Sequence, residues 1–437
     1  MNESKNNVAR RKFIKSLAAG GITGWAMLNN PFLSMASSID PSPKNEPEFT
    51  PFNDSDPVEP NMIGAYGPWA DSLYGDKPGR LSFRNEGWEN VESWKKAAQN
   101  RFSELLARPY TGGTPEVKVI ASYSHDGLMI EKLAWQLPYG PPTEAYYLKP
   151  EGATEPLPGV VALHSHGGDK YFGKRKIAQV SDEIHPMLVP FQESYYGGRR
   201  WANELAKRGF AVLVPDAFAF ASRRVKLADV SERIRGGVVD VSPEEGEEEI
   251  RAYNRWAGNH EHVLSKSLFC GGTTWPGVTV AEDQRALDVL AARPDVDENR
   301  MGCCGLSGGG LRSLMLSGVD SRIKTAVCVG MMSTWRDYLM YHSFTHTWMI
   351  YVPHLPVEMD YSEIFTLQMP SPRLVLNNSE DGIFDIGEQK RADRILKEVF
   401  DKAGASDKYV CEFHPGGHKF DRPMQESAFN WLEKWLA

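Results

Sequence analysis

Cysteine is scarce, with five in 437 residues. That excludes a scaffold held together by disulfides. No two of the five form a C-x-x-C pair, so a structural zinc site is not expected. Basic residues are in deficit. There are 49 Lys and Arg against 57 Asp and Glu, a formal net charge of −8, which argues against a broad cationic face for nucleic acid. Long apolar runs are also missing. Past the N-terminus no stretch approaches the roughly 20 residues of a membrane-spanning helix. What remains is ordinary globular composition, 24% charged and 41% hydrophobic. The length fits one α/β domain with extensions as well as two or three units.

The chain opens with Lys5, Arg10, Arg11, Lys12 and Lys15, a mildly apolar run from Phe13 to Leu28, and Ser34-Met35-Ala36. Basic, then apolar, then small is the order of an export signal. The run Arg10-Arg11-Lys12-Phe13-Ile14-Lys15 resembles the twin-arginine export motif, departing from it at Ala9 and Ile14. The resemblance implies a signal over residues 1–36, the twin-arginine export machinery as a partner, and a bacterial protein working in the periplasm or outside the cell. The apolar run contains Gly20, Gly21 and Gly24, too weak for a stable membrane anchor. Residues 37–116 are expected to be a linker and helical extension. Within them Val91, Trp94, Ala98, Phe102 and Leu105 recur at helical spacing.

From residue 117 to 437 the pattern becomes short β-branched or apolar runs separated by helical stretches. VKVIASYS, KLAWQLPY, AYYLKP, PGVVALHSH, FAVLVPDAF, RMGCCGLS, KTAVCVG, RLVLNNSED and KYVCEFHP read as strands. Arg199–Lys207, Val280–Ala292 and Gly309–Leu316 read as helices. Such alternation predicts an α/β fold: a mostly parallel, doubly wound sheet with helices on both faces. Ligands collect at the carboxyl ends of strands in these sheets.

Gly305-Leu306-Ser307-Gly308-Gly309 matches G-x-S-x-G between a strand-like and a helix-like run. A serine on so sharp a turn needs small neighbours two residues away on either side. A serine nucleophile also needs a base, and the base an orienting carboxylate. His418, in the glycine-flanked run GGHKF after the last strand, is the expected base, with His414 its rival. Asp381, beginning the loop after RLVLNNSE, is the favoured acid, with Glu380 and Asp385 as alternatives. Asp385 could equally cap the following helix. For the oxyanion the expected donors are the amide of Gly308 and one of the loop His166-Gly167-Gly168, which follows an early strand. The pair His164 and His166 lacks an obvious third ligand, so no metal site is expected.

These runs together resemble the α/β-hydrolase superfamily, and within it the carboxylesterases similar to dienelactone hydrolases and acetyl xylan esterases. The supporting text is ALDVLAARPDVDENRMGCCGLSGGG, LHSHGGDKYFGK and HPGGHKF, and the resemblance spans residues 117–437. It implies the triad Ser307, Asp381 and His418, an oxyanion site at Gly308 with the HGG loop, and no cofactor. The expected substrate is a small-molecule or carbohydrate ester, with acetyl or similar groups on polysaccharide foremost. A serine peptidase or amidase on the same fold is the alternative, and a non-catalytic binding module a third reading. The elbow carries Ser307 where dienelactone hydrolases carry cysteine, which favours ordinary esters over lactones. The substrate side is expected in the insertion from Phe218 to Trp275, or in the aromatic segment holding Trp335, Tyr338, Tyr341, Phe344 and Trp348, where core packing is the competing role. Cys303 and Cys304, adjacent in a strand, should face opposite sides of the sheet.

Overall fold

The computed structural model describes residues 60–75 and 77–437. The expected export signal lies outside the described residues, as does the first part of the expected linker. Nine strands form one sheet: β1 (Val117–His125), β2 (Leu128–Trp135), β3 (Thr143–Pro150), β4 (Leu157–Leu163), β5 (Ala211–Pro215), β6 (Val296–Leu306), β7 (Ile323–Val329), β8 (Arg373–Asn378) and β9 (Tyr409–His414). Their order is β1-β2-β3-β5-β4-β6-β7-β8-β9. The first three strands run antiparallel to their neighbours, and every pair from β5 to β9 is parallel. All nine expected strands are present. The second begins four residues earlier than the run KLAWQLPY suggests. Asp126-Gly127, both at positive φ (51° and 76°), make a two-residue hairpin turn. That turn pairs His125 with Leu128 and so fixes where β2 starts.

The helices beyond the N-terminal Gly67–Tyr74 include α1 (Val91–Leu106), α2 (Leu188–Tyr196), α3 (Trp201–Lys207), α4 (Glu247–Gly271), α5 (Trp275–Ala291), α6 (Gly308–Val319), α7 (Ile386–Lys402) and α8 (Arg422–Leu436). Strand periodicity divides the core into two layers. Val161, Leu163 and Cys303 join α1, α5, α6 and α7 on one face. Val160, Ala162 and Cys304 join α3 and α8 on the other. The adjacent cysteines therefore face opposite layers, and all five cysteines are free.

Helix α1 starts on Asn90, whose side chain accepts from the Ser93 amide. It buries Trp94, Ala98, Phe102 and Leu106, and the Trp94 indole donates to Leu81 O at 2.7 Å. Each large apolar side chain so buried contributes roughly 1.5–3 kcal/mol before entropy. Among the described residues no helix is long and apolar enough to cross a membrane.

Candidate active site

Strand β6 ends in the turn that carries Ser307, and α6 begins directly after it. Ser307 sits at φ 57° and ψ −121°, a conformation that costs a non-glycine residue of the order of 1–3 kcal/mol. The surroundings enforce it. The Ser307 amide donates to Val329 O of β7 at 2.8 Å. A Cβ on Gly309 would lie 2.0 Å from Leu163 O, and one on Gly305 2.4 Å from the same atom. Neither position admits a side chain, which is why the turn needs glycine on both flanks. A buried ion pair then fixes the helix, with Arg312 of α6 donating to Asp283 of α5 at 2.6 and 3.0 Å.

The loop after β8 meets the loop after β9. Ser379 N donates to His414 O and Glu380 N to Gly416 O. This contact brings Asp381 against His418, with Nδ1 2.7 Å from Oδ2. The Asp381 side chain is 1% exposed. An acidic partner at Nδ1 places the proton there and leaves the Nε2 lone pair free. Nε2 is buried and has no partner among the described residues.

The rivals are occupied elsewhere. Asp385 accepts from the Glu388 amide and caps α7, Glu380 Oε1 accepts from the Gly416 amide, and His414 pairs with Glu412.

Ser307, Gly308 and His418 line one pocket of about 230 Å³, together with His166, Gly167, Gly168, Tyr195, Met331, Thr345, His346, Thr347, Ile350 and Ile383. A larger cleft of about 540 Å³, lined by Lys132, Glu144, Tyr146 and Lys174 among others, contains none of the expected catalytic groups.

The loop after β4 closes over the start of α6, and a Cβ on Gly308 would lie 2.9 Å from His166 N. Gly168 N donates to His166 Nδ1 at 3.1 Å, so of the two glycines it is the one already engaged. The amides of Gly167 and Gly308 donate to no protein group among the described residues. Beneath the loop, fully buried Lys176 donates to the carbonyls of Ser165 (2.6 Å), His166 (3.0 Å) and Asp169 (2.7 Å). The His166 carbonyl and the Gly167 N–H belong to one peptide group, so an ammonium on the oxygen side polarises the N–H toward the pocket. Burial pulls the Lys176 pKa down to about 7, against the charges of Asp169 and Asp216, which favour the ammonium. The two loop histidines do not converge on a common point. His164 Nε2 accepts from the Ala217 amide, and His166 Nε2 meets Glu261 at 2.8 Å.

No family model matches the sequence. The chain is 27% identical over 295 residues to "Putative hydrolase YtaP" of Bacillus subtilis (strain 168), across 67% of this chain and 83% of that protein. Among solved structures it is similar to a "putative acetyl xylan esterase" from Bacteroides fragilis NCTC 9343. The TM-score is 0.58 at 15% identity, covering 81% of this chain and 82% of that one. A glucuronoyl esterase from Solibacter usitatus gives 0.56 at 13%, covering 83% and 98%. The chain has the α/β-hydrolase fold.

The pocket beside Ser307 is walled differently from the sequence expectation. None of the five aromatics from Trp335 to Trp348 lines the pocket. Trp335 and Tyr338 are buried core, and Phe344 is 78% exposed. The same segment instead supplies Thr345, His346 and Thr347. Burial pushes the His346 pKa down to about 4. Sequence reasoning missed Lys176 and Glu261 altogether. An isolated charged residue on an otherwise buried helix face was the available signal for Glu261, which is 7% exposed in α4.

Proposed function

We propose that the protein is a serine carboxylesterase that removes acetyl or similar acyl groups from polysaccharide. One observation carries the reading: a buried, unpartnered imidazole nitrogen at His418 shares a small pocket with the strained Ser307. Ser307 Oγ attacks the ester carbonyl while His418 Nε2 takes its proton. Asp381 holds the ring and balances its charge. The amides of Gly308 and Gly167 receive the oxyanion, each donor being worth roughly 10²–10³ in turnover. His418 returns the proton to the departing alcohol. Water then attacks the acyl-enzyme by the same route, releasing the acid and restoring Ser307.

The pocket size and the apolar walls from Met331, Ile350 and Ile383 support a short acyl group. The names of the similar proteins, acetyl xylan and glucuronoyl esterases among them, support a carbohydrate ester. In this reading residues 1–36 are a twin-arginine signal, residues 37–116 an extension, and residues 117–437 the catalytic domain working outside the cytoplasm.

The test is acetate release from acetylated xylan beside feruloyl, methyl-glucuronoyl, lactone and aminoacyl-amide substrates, on wild type and Ser307→Ala. Acetate release lost in the variant is the expected result. Turnover confined to the amides would replace the esterase with a peptidase. Failure of a fluorophosphonate probe to label the folded protein would remove catalysis by Ser307.

A further inference from the structure

Helix α4 belongs to the segment inserted between β5 and α5, and it sets one carboxylate behind two residues that line the pocket, His166 and Thr347. Glu261 Oε1 accepts from His166 Nε2 at 2.8 Å and lies 2.6 Å from Lys170 Nζ. Its Oε2 accepts from Thr347 Oγ1 at 2.8 Å and from Trp348 N at 3.3 Å. Three hydrogen-bond donors and the Lys170 ammonium, from the loop after β4 and from the segment holding Thr347, converge on one carboxylate. Burial alone would raise its pKa, but Lys170 and His166 outweigh that and hold the carboxyl below the usual carboxylate range.

The other face of the His166 ring decides what this achieves. Nδ1 accepts the Gly168 N–H, which only the Nε2–H tautomer permits. A carboxylate at Nε2 selects that tautomer. The ring in turn ties down a turn whose two glycines both sit at positive φ, 55° at Gly167 and 66° at Gly168.

We propose that Glu261 is a positioning residue for the oxyanion hole. It fixes the tautomer of His166, and His166 then holds the Gly167–Gly168 turn so that the Gly167 amide meets the carbonyl oxygen of the ester. The inference rests on the esterase reading above and gives the insertion a catalytic purpose.

The experiment compares wild type, Ser307→Ala, Glu261→Gln, His166→Ala and the Glu261→Gln/His166→Ala double variant. It measures p-nitrophenyl acetate kinetics, the fluorophosphonate labelling rate and melting temperature. A donor loosened rather than deleted should lower kcat about ten- to hundredfold in Glu261→Gln. Labelling should slow in step, with KM within about threefold of wild type. Because Glu261 acts through His166, the double variant should lose no more than His166→Ala alone. Unchanged kcat in Glu261→Gln, or losses that add in the double variant, would overturn the inference. Should the glutamine variant fail to fold, Glu261→Asp keeps the charge beside Lys170 but withdraws the carboxylate from His166. Full kcat there overturns the inference equally. Wild type without turnover that depends on Ser307 would remove the esterase reading and this inference with it. Turnover that depends on Ser307 but is indifferent to Glu261 removes this inference alone.

Discussion

The residue after β7 offers a test of His418 that leaves the imidazole itself untouched. Gly330 has φ 55°, and its amide donates to Leu376 O at 2.8 Å. A Cβ there would lie 3.0 Å from Leu306 Cδ1, 3.1 Å from His418 Cε1 and 3.3 Å from His418 Nδ1. Comfortable carbon contacts are roughly 3.5–4.0 Å, so Gly330→Ala is about 0.5 Å short of room. Leu306 is fully buried and has little space to retreat. The His418 ring, held at Nδ1 by Asp381, is the part that swings. A misplacement of about 1 Å can cost roughly 10² in rate, so half of that should cost about tenfold in kcat. The left-handed backbone adds about 1–2 kcal/mol of destabilisation. The assay is Michaelis–Menten kinetics on a short-chain p-nitrophenyl ester, with calorimetry on the same sample. The expected outcome is kcat down about tenfold, KM near wild type and Tm lowered by a few degrees. Full kcat in a variant that melts lower as expected would mean that the ring at 418 does not sit where proton transfer occurs. The base assignment would then be wrong.

Further outcomes follow from the same geometry. Asp381→Asn should lower kcat by on the order of 10⁴, the cost of losing the orienting carboxylate in a serine triad. Asp385→Ala should cost only about 1 kcal/mol of stability as a lost helix cap; the reverse pattern in kinetics and melting would reassign the acid. Lys176→Met leaves the Asp169 carbonyl without a donor, while Ser165 O keeps His164 Nδ1–H and His166 O keeps the Asp169 amide. It should destabilise by about 1–3 kcal/mol for that one orphaned group, and lower kcat more than it raises KM; unaltered kcat would refute polarisation of the loop. His346 is held neutral with its pKa lowered from 6.5 to about 4. The unfolded chain therefore binds the extra proton first, and stability should fall as pH drops from about 6.5 to about 4, by at most about 1.4 kcal/mol per pH unit from this group. Burial lowers His164 in the same direction. Urea midpoints that stay flat across that window would contradict both assignments.

The parts legible in the sequence are those whose cause is local. Strand periodicity put Cys303 and Cys304 on opposite faces. Crowding between β6 and α6 requires glycine at 305 and 309, and a strand-end acid marked Asp381. The choice among Asp381, Glu380 and Asp385 was not local. It was made by the meeting of two loops, where His418 reaches one carboxylate while Asp385 faces the start of α7. Glu261 lies still further from any motif. Its partners are His166, Lys170 and Thr347, 95, 91 and 86 positions away, and no spacing rule connects a helix in an insertion to a turn after β4. The turn at Ser307 is legible in the chain because its backbone bend restricts its immediate neighbours. What holds the Gly167–Gly168 turn is a contact between distant segments, and those residue types are free to recur anywhere. The kinetics of Glu261→Gln therefore bear on more than one residue. They ask whether the insertion merely covers this fold or completes its active site.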